Sequence, residues 1–125
     1  MQLVEEAIIP LAVLSLALLH ALGEMMYKKG GMMTLERVGR VRKAGFWIKL
    51  LTTPLVILSL LIAAAVKVLY GIILASNPLF VTGGIYLSAV ALFSVLGGKF
   101  IFSEEISSKQ AMGFVMIGFG ILFLA

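Results

Sequence analysis

A histidine and a glutamate interrupt the first apolar segment of the sequence. His20 and Glu24 are four residues apart in the stretch LALLHALGEMMYKK, so a helix places them on one face, one turn from each other. Ionisable groups inside a membrane span are costly unless they face a partner, a cavity or the interior of a helix bundle. We therefore consider this pair the first candidate for substrate binding or proton coupling.

Each of these two residues also has a structural interpretation. Glu24 is four residues from Lys28, which is near enough to a membrane interface for an ordinary solvated carboxylate. His20 lies eight residues, or about 12 Å, deeper than Lys28. We expect it to line a polar cavity, the alternative being a histidine satisfied by a neighbouring helix.

Later apolar segments supply three more candidates: Lys67, Tyr70 and Tyr86. Lys67 and Tyr70 belong to one stripe at helical spacing, which comprises Thr52, Val56, Ser59, Ala63, Lys67 and Tyr70. Lys67 is about 15 Å from the end of its span, near the membrane midplane. It either faces a cavity shared with His20 and Tyr86, or pairs structurally with Glu24 or a backbone carbonyl.

Composition predicts a membrane protein. Hydrophobic residues make up 62% of the 125 residues, charged residues make up 13%, and the mean hydropathy is +1.15. A span needs roughly 20 apolar residues. We predict an all-α polytopic protein, a single domain over residues 1–125 with four transmembrane helices and no separate soluble domain. The predicted spans are residues 3–27, 50–75, 79–102 and 107–125.

The residue inventory also predicts what the protein lacks. Because there is no cysteine, disulfides, thiol catalysis and thiolate metal sites are excluded. One histidine and no acidic cluster within a span make a dedicated metal site improbable. The first span begins with Glu5 and Glu6 and is too long for a cleavable signal peptide. We expect no metal, no cofactor, no enzymatic activity and no nucleic-acid partner.

The first connection is strongly basic. Gly30 and Gly31 are expected to stop the first span, and Thr34 is a plausible N-cap for a short helix in the lipid headgroup region. Apolar residues between the charges of the segment 28–49 favour such an interfacial helix with snorkelling basic side chains. It serves as a topology anchor, with a ligand site as the alternative.

The remaining spans carry start signals and small-residue faces. Asn77 and Pro78 predict the N-cap and first residue of the third span, which forms an antiparallel hairpin with the second. Ser107 and Gln110 fit a capping box for the fourth span. The face of the third span comprises Thr82, Gly83, Tyr86, Ala89, Phe93 and Gly97, and Gly97 with Gly98 permits a bend.

Three glycines in the last span suit close approach by another helix. Gly113 and Gly120 are seven residues apart and share a face, and Gly118 lies between them. We assign these glycines to a dimer or helix-packing seam. Packing within the chain explains them equally well.

The basic residues predict a single orientation. Seven of the ten Lys and Arg residues lie in 28–49, and Lys99 and Lys109 flank the connection before the fourth span, so nine lie on one side. By the positive-inside rule both termini face away from the cytoplasm. Antiparallel pairing then requires a second protein. We predict a dimer: a heterodimer with an oppositely oriented relative, or otherwise a parallel homodimer.

The order of these features resembles the drug/metabolite transporter superfamily over nearly the whole chain. The features are Gly23 and Lys28 at the end of the first span, Pro78 opening the third, and the segment 104–107 before Gly113 and Gly120. Two small four-helix groups fit: the small multidrug resistance transporters, and the paired subunits proposed to flip aminoarabinose-linked undecaprenyl phosphate.

The resemblance implies roles for individual residues. Small multidrug resistance proteins have an essential glutamate three residues before a glycine, a position that His20 occupies here, and Tyr86 matches an aromatic cage residue. At position 83 that family has a tyrosine, whereas this sequence has Gly83. The flippase subunits resemble LLHALGEMMYKKG more closely, with a polar residue at Glu24 and a lysine at Lys28, which implies an anionic amphiphile as substrate.

Three functions follow as hypotheses. The first is a dimeric cell-membrane transporter that moves an amphipathic or lipid-linked, anionic substrate; Lys67, His20 and the basic segment suit a phosphate. The second is a proton-coupled exporter of small organic or cationic compounds, in which Glu24 alternates between proton and substrate. The third is a non-transporting membrane subunit that binds a larger partner and the lipid surface.

Overall fold

The chain folds into helices. A computed structural model describes residues 2–38 and 44–124, and the regular structure in these ranges is entirely helical, which confirms the all-α prediction. The helices are α1 (Gln2–Val38), α2 (Ala44–Thr52), α3 (Pro54–Ala75), α4 (Leu79–Phe100) and α5 (Ser108–Leu124).

Three of these helices are long and apolar enough to cross a membrane. They are α1, of which the segment Ala7–Arg37 qualifies, and the whole of α3 and α4. The fourth predicted span corresponds to α5, which is apolar but only 17 residues long. That is somewhat less than the roughly 20 residues a span usually needs. The structure therefore supports a membrane protein with three candidate spans and one shorter apolar helix.

The first helix does not stop at Gly30 and Gly31, and that prediction is wrong. α1 continues without a break to Val38. Gly30 lies within it, packed against α3, where an added Cβ atom would lie 2.5 Å from Val56 Cγ2. The glycine allows a close approach of two helices rather than a helix end. Thr34 is not an N-cap either, since its hydroxyl donates to the carbonyl oxygen of Gly30 at 2.8 Å inside α1.

The basic segment is divided between two helices. Residues 32–38 form the last turns of α1, and the segment Ala44–Thr52 forms α2. Arg40, Arg42 and Lys43 of the predicted interfacial helix lie outside the described residues. α2 is separate from α3 because Thr53 is extended (φ −68°, ψ 126°) and Pro54 begins the next helix. Proline disfavours helical geometry in the residue before it, a break that our prediction of one span from residue 50 missed.

The two predicted helix starts have different outcomes. Pro78, not Asn77, is the N-cap of α4, and the Asn77 amide instead donates to the Ile73 carbonyl oxygen at 2.8 Å, at the end of α3. The capping box at α5 is confirmed. Ser107 N–H donates to Gln110 Oε1 at 3.0 Å and Gln110 N–H donates to Ser107 Oγ at 3.2 Å.

α1 is the central helix, and it packs against both α3 and α4. The main core joins these three helices and consists of Val13, Leu16, Ala17, Val66, Tyr70, Ile85, Tyr86 and Ala89. α2 forms a smaller core with α3 through Phe46, Leu50 and Val56. α5 packs on α4 and contains no buried residue. Because α1 lies between α3 and α4, its polar side chains His20 and Glu24 are within reach of both neighbouring helices.

Candidate functional site

His20 has one ring nitrogen bonded to α4 and the other to a neighbour on α1. Its Nδ1 atom is hydrogen-bonded to the hydroxyl of Tyr86, and its Nε2 atom lies 3.2 Å from Glu24 Oε1. The rings of His20 and Tyr86 meet edge to face, with centroids 5.6 Å apart. The predicted pair of His20 and Glu24 is thus joined, and a tyrosine of a second helix completes it.

The partners of His20 determine which of its ring nitrogens carries the proton when the imidazole is neutral. An ionised Glu24 only accepts, so Nε2 of His20 must carry the proton that it donates. Nδ1 of a neutral imidazole is then an acceptor, and the Tyr86 hydroxyl donates to it. When His20 is protonated both nitrogens donate, and the Tyr86 hydroxyl must turn to accept. The Tyr86 hydroxyl is thus the group of α4 whose hydrogen bond depends on the donor pattern of His20.

Glu24 has a second partner on α4. The Ser94 hydroxyl donates to Glu24 Oε2 at 2.9 Å, while Oε1 faces His20. Both carboxylate oxygens are therefore engaged, although the side chain keeps 53% of its surface exposed. The carboxylate is thus held by two neighbours and still reaches the cleft surface from its exposed side.

Tyr86 is held in place by Tyr70 of α3. The two rings are stacked, with centroids 4.2 Å apart and an interplanar angle of 21°. Both tyrosines are buried, and Tyr86 is 2% exposed. Stacked aromatic rings with few rotatable bonds form a rigid support. Tyr70 thereby orients the hydroxyl that His20 uses, rather than meeting His20 directly.

Two clefts flank Glu24, and His20 lines one of them. A cleft of about 190 Å³ between α1 and α3 is lined by His20, Gly23, Glu24, Tyr27, Lys28, Ser59, Leu60 and Ala63. A smaller cleft of about 130 Å³ between α1 and α4 is lined by Glu24, Met25, Lys28, Ser94, Gly98, Phe102 and Glu104. Glu24 and Lys28 line both clefts, so a change at either residue alters both.

An ion pair links α1 to the connection before α5. Lys28 Nζ is bonded to Glu104 Oε1 and also lies 4.5 Å from the centroid of the Phe102 ring. Both charged side chains are about half exposed, so the pair contributes little to stability by itself. Its position at the end of both clefts suits it to hold α1 against this connection.

The backbone brings Glu104 back over α4. Ser103 has a φ of 54°, in the left-handed region that favours glycine, and the amide of Glu104 donates to the Gly98 carbonyl oxygen at 2.9 Å. A Cβ atom at Gly98 would collide with the Glu104 carboxylate. Gly98 thus makes room for the ion pair, and the bend that Gly97 and Gly98 could permit stays a prediction.

Lys67 is not part of this cluster. It is exposed on α3 and has no hydrogen bond or ion pair among the described residues. Glu24, its predicted partner, bonds instead to His20 and Ser94. The predicted polar stripe fails at this position because the buried face of α3 runs through Val66 and Tyr70. Ala63 is the last α3 residue, in sequence order, that lines the cleft between α1 and α3, and Lys67 follows it one turn later.

The glycines of α5 face open space within the chain. A Cβ atom at Gly113, Gly118 or Gly120 would have no neighbour within 4 Å. Among residues 2–38 and 44–124 no side chain fills the space beside these glycines, so their assignment to a dimer or helix-packing seam stays a prediction.

Sequence reasoning missed two partners in this cluster. Ser94 lies eight residues after Tyr86, about two helical turns, so a search for polar residues on that face of α4 would have found it. Glu104 could not have been found by spacing, because its position depends on the left-handed turn at Ser103. No group of three potential metal ligands occurs in residues 2–38 and 44–124.

No protein-family model, curated protein or solved structure matches this chain. The functional interpretation therefore rests on the geometry of the cluster and on the sequence pattern.

Proposed function

We propose that this protein is a small membrane transporter of the drug/metabolite type, in which His20 and Glu24 form a proton-binding pair beside the substrate. The supporting observation is that His20 bonds to both Glu24 and Tyr86 while lining the cleft between α1 and α3. In this proposal α5 is the fourth span, somewhat short for an average membrane.

Proton and substrate compete for Glu24 in this mechanism. A carboxylate with both oxygens hydrogen-bonded and one side exposed can exchange a proton for a cationic group. Loss of the proton from the pair leaves a negative charge in the cleft, and an incoming cation replaces it. His20 passes the change to α4 through the Tyr86 hydroxyl, because its donors must rearrange with each protonation.

The charges in the cleft favour a cationic or neutral amphipathic substrate. Lys28 is paired with Glu104, and Lys67 does not line the cleft. Glu24 therefore has no lysine or arginine as an ion-pair partner in the cleft, and its basic neighbour there is His20. The apolar wall formed by Leu60 and Ala63 suits the hydrophobic part of such a molecule. This preference departs from our first hypothesis, in which Lys67, His20 and the basic segment together bind a phosphate.

An anionic amphiphile is the second candidate. Lys28 lines both clefts with nearly half of its side chain exposed, and a phosphate would displace Glu104 from it. Lys29 and Arg37 follow on α1 and are exposed. Basic side chains around a cleft opening attract anionic headgroups.

The proposal includes a dimer in the cell membrane with both termini away from the cytoplasm. The distribution of basic residues supports this orientation. The open face of α5, where its glycines have no neighbours, supports association with another subunit.

Transport in sealed vesicles tests the proposal. The purified protein is reconstituted, a pH gradient is imposed, and uptake of a lipophilic phosphonium cation is compared with that of a short-chain polyprenyl phosphate. Gradient-stimulated uptake should be lost in Glu24→Gln, because the amide cannot exchange a proton. Glu105→Gln is the matched control, since Glu105 is exposed and lines neither cleft.

The two candidates differ in the response of Lys28. Lys28→Gln should abolish uptake of the polyprenyl phosphate if the substrate is anionic, and should leave uptake of the phosphonium cation largely intact if it is cationic. Uptake of each probe that is the same in vesicles with and without the protein would refute transport altogether. Uptake that is the same in Glu24→Gln and wild type would remove Glu24 from the mechanism.

A further inference from the structure

Lys67 is an exposed cation far from either end of an apolar helix. It lies 13 residues after Pro54 and eight residues before Ala75, distances of about 20 Å and 12 Å along α3. In the membrane orientation proposed above, that places its charge in the hydrocarbon region, where an unpaired lysine costs several kcal/mol. Such a residue needs an anionic partner.

The chain itself does not supply that partner among its described side chains. Glu24 is occupied by His20 and Ser94, and the remaining described acidic side chains, Glu36, Glu104 and Glu105, lie near the opposite membrane surface.

Glu24, the described acidic side chain nearest in depth, does not supply it from a second copy either. A Cβ atom at Gly23, next to Glu24, would lie 3.3 Å from Ile62 Cγ2, so Glu24 lies near the level of Ile62. Lys67 is five residues, or about 7.5 Å, further along α3. A two-fold axis along the membrane normal keeps these depths unchanged, so Lys67 and Glu24 of another copy would differ in depth by about 7.5 Å, and both oxygens of that Glu24 already bond to His20 and Ser94.

The surface around Lys67 suits a helix. Ala64 and Gly71 are exposed one turn on either side of it, on the same face of α3. A Cβ atom at Gly71 would have no neighbour within 4 Å. Small residues let two helices approach closely in lipid, and the lysine between them adds a specific charge.

We propose that the α3 face formed by Ala64, Lys67 and Gly71 docks a transmembrane helix of a different protein that carries a carboxylate at the depth of Lys67. The ion pair would satisfy both charges in the hydrocarbon region and determine which partner binds. The proposal rests on the membrane placement of α3 within the proposed function, and does not depend on transport.

Binding of designed helices in lipid vesicles tests this proposal. The probe is a fluorescent Leu/Ala transmembrane peptide with one Glu at its centre, and the control peptide has Gln at that position. Energy transfer from the labelled protein to the Glu peptide should exceed that to the Gln peptide. The excess should be lost in Lys67→Leu and retained in Lys99→Leu, a control lysine that lies in the last turn of α4.

Two results would overturn the proposal. One is an equal response to the Glu and Gln peptides, or an excess that survives in Lys67→Leu, which would show that Lys67 is not available to a partner. The other is self-association through the same face. Because the chain has no cysteine, Gly71→Cys gives a single thiol, and efficient disulfide dimers in vesicles would assign the face to a second copy. Either result is independent of whether transport is observed.

Discussion

Replacing Gly30 with alanine should destabilise the packing of α1 on α3. The added Cβ atom would lie 2.5 Å from Val56 Cγ2, about 0.9 Å closer than the 3.4 Å of an ordinary contact. Val56 is fully buried and cannot move away freely. Overpacking of this kind costs about 1–3 kcal/mol, whereas alanine in a helix gains about 1 kcal/mol over glycine.

Gly31 provides the matched control. Its Cβ position has no neighbour within 4 Å, so Gly31→Ala should keep the helix gain without the clash. The free energy of unfolding should therefore be about 1–3 kcal/mol lower in Gly30→Ala than in Gly31→Ala. Titration with SDS from mild micelles, followed by the fluorescence of the single Trp47, measures this difference.

A double variant identifies the contact responsible. In a Val56→Ala background the Cγ2 atom is absent, so Gly30→Ala should no longer be destabilising there. The coupling free energy between the two positions should be about 1–3 kcal/mol. If Gly30→Ala is as stable as Gly31→Ala, or if Val56→Ala does not relieve it, the described contact between α1 and α3 is wrong.

Three further changes test other parts of the structure. Tyr86→Phe keeps the aromatic ring but removes its bond to His20, and should lower the free energy of unfolding by about 1 kcal/mol while changing the pH dependence of transport. Glu104→Gln should change the free energy of unfolding by less than about 1 kcal/mol, because its pair with Lys28 is half exposed, yet increase proteolytic cleavage of the connection before α5; unchanged cleavage would argue against a holding role. A topology reporter fused after Ala125 should give only an external signal, and comparable cytoplasmic and external signals would show dual orientation.

The helices could be predicted well from apolar periodicity, but their ends could not. The capping box at Ser107 and Gln110 is local, and it forms as expected. Gly30 reads as a helix stop in sequence, yet tertiary contact with Val56 decides its role. Pro54 is a local signal for a helix start, and without it the predicted span begins at residue 50 and joins the end of α2 to α3.

The candidate site shows the same division. The one-turn spacing of His20 and Glu24 could be read directly, and so could the small and aromatic face that carries Tyr86. The rotation of α3 could not, because Lys67 and the buried Val66 are adjacent and a rotation of the helix by one residue, about 100°, moves one towards the core and the other away from it. Only packing against α1 and α4 decides which of them is buried.

Proton exchange on substrate binding tests the central claim most directly. In weakly buffered detergent solution between about pH 5 and 8, a pH indicator reports protons released or taken up when each probe is added. Binding of the phosphonium cation should release protons from the pair, and binding of the polyprenyl phosphate should take them up at His20. His20→Ala should flatten the dependence on pH, and Glu24→Gln should abolish release. Saturable binding of either probe to the wild type without any proton exchange would contradict the account.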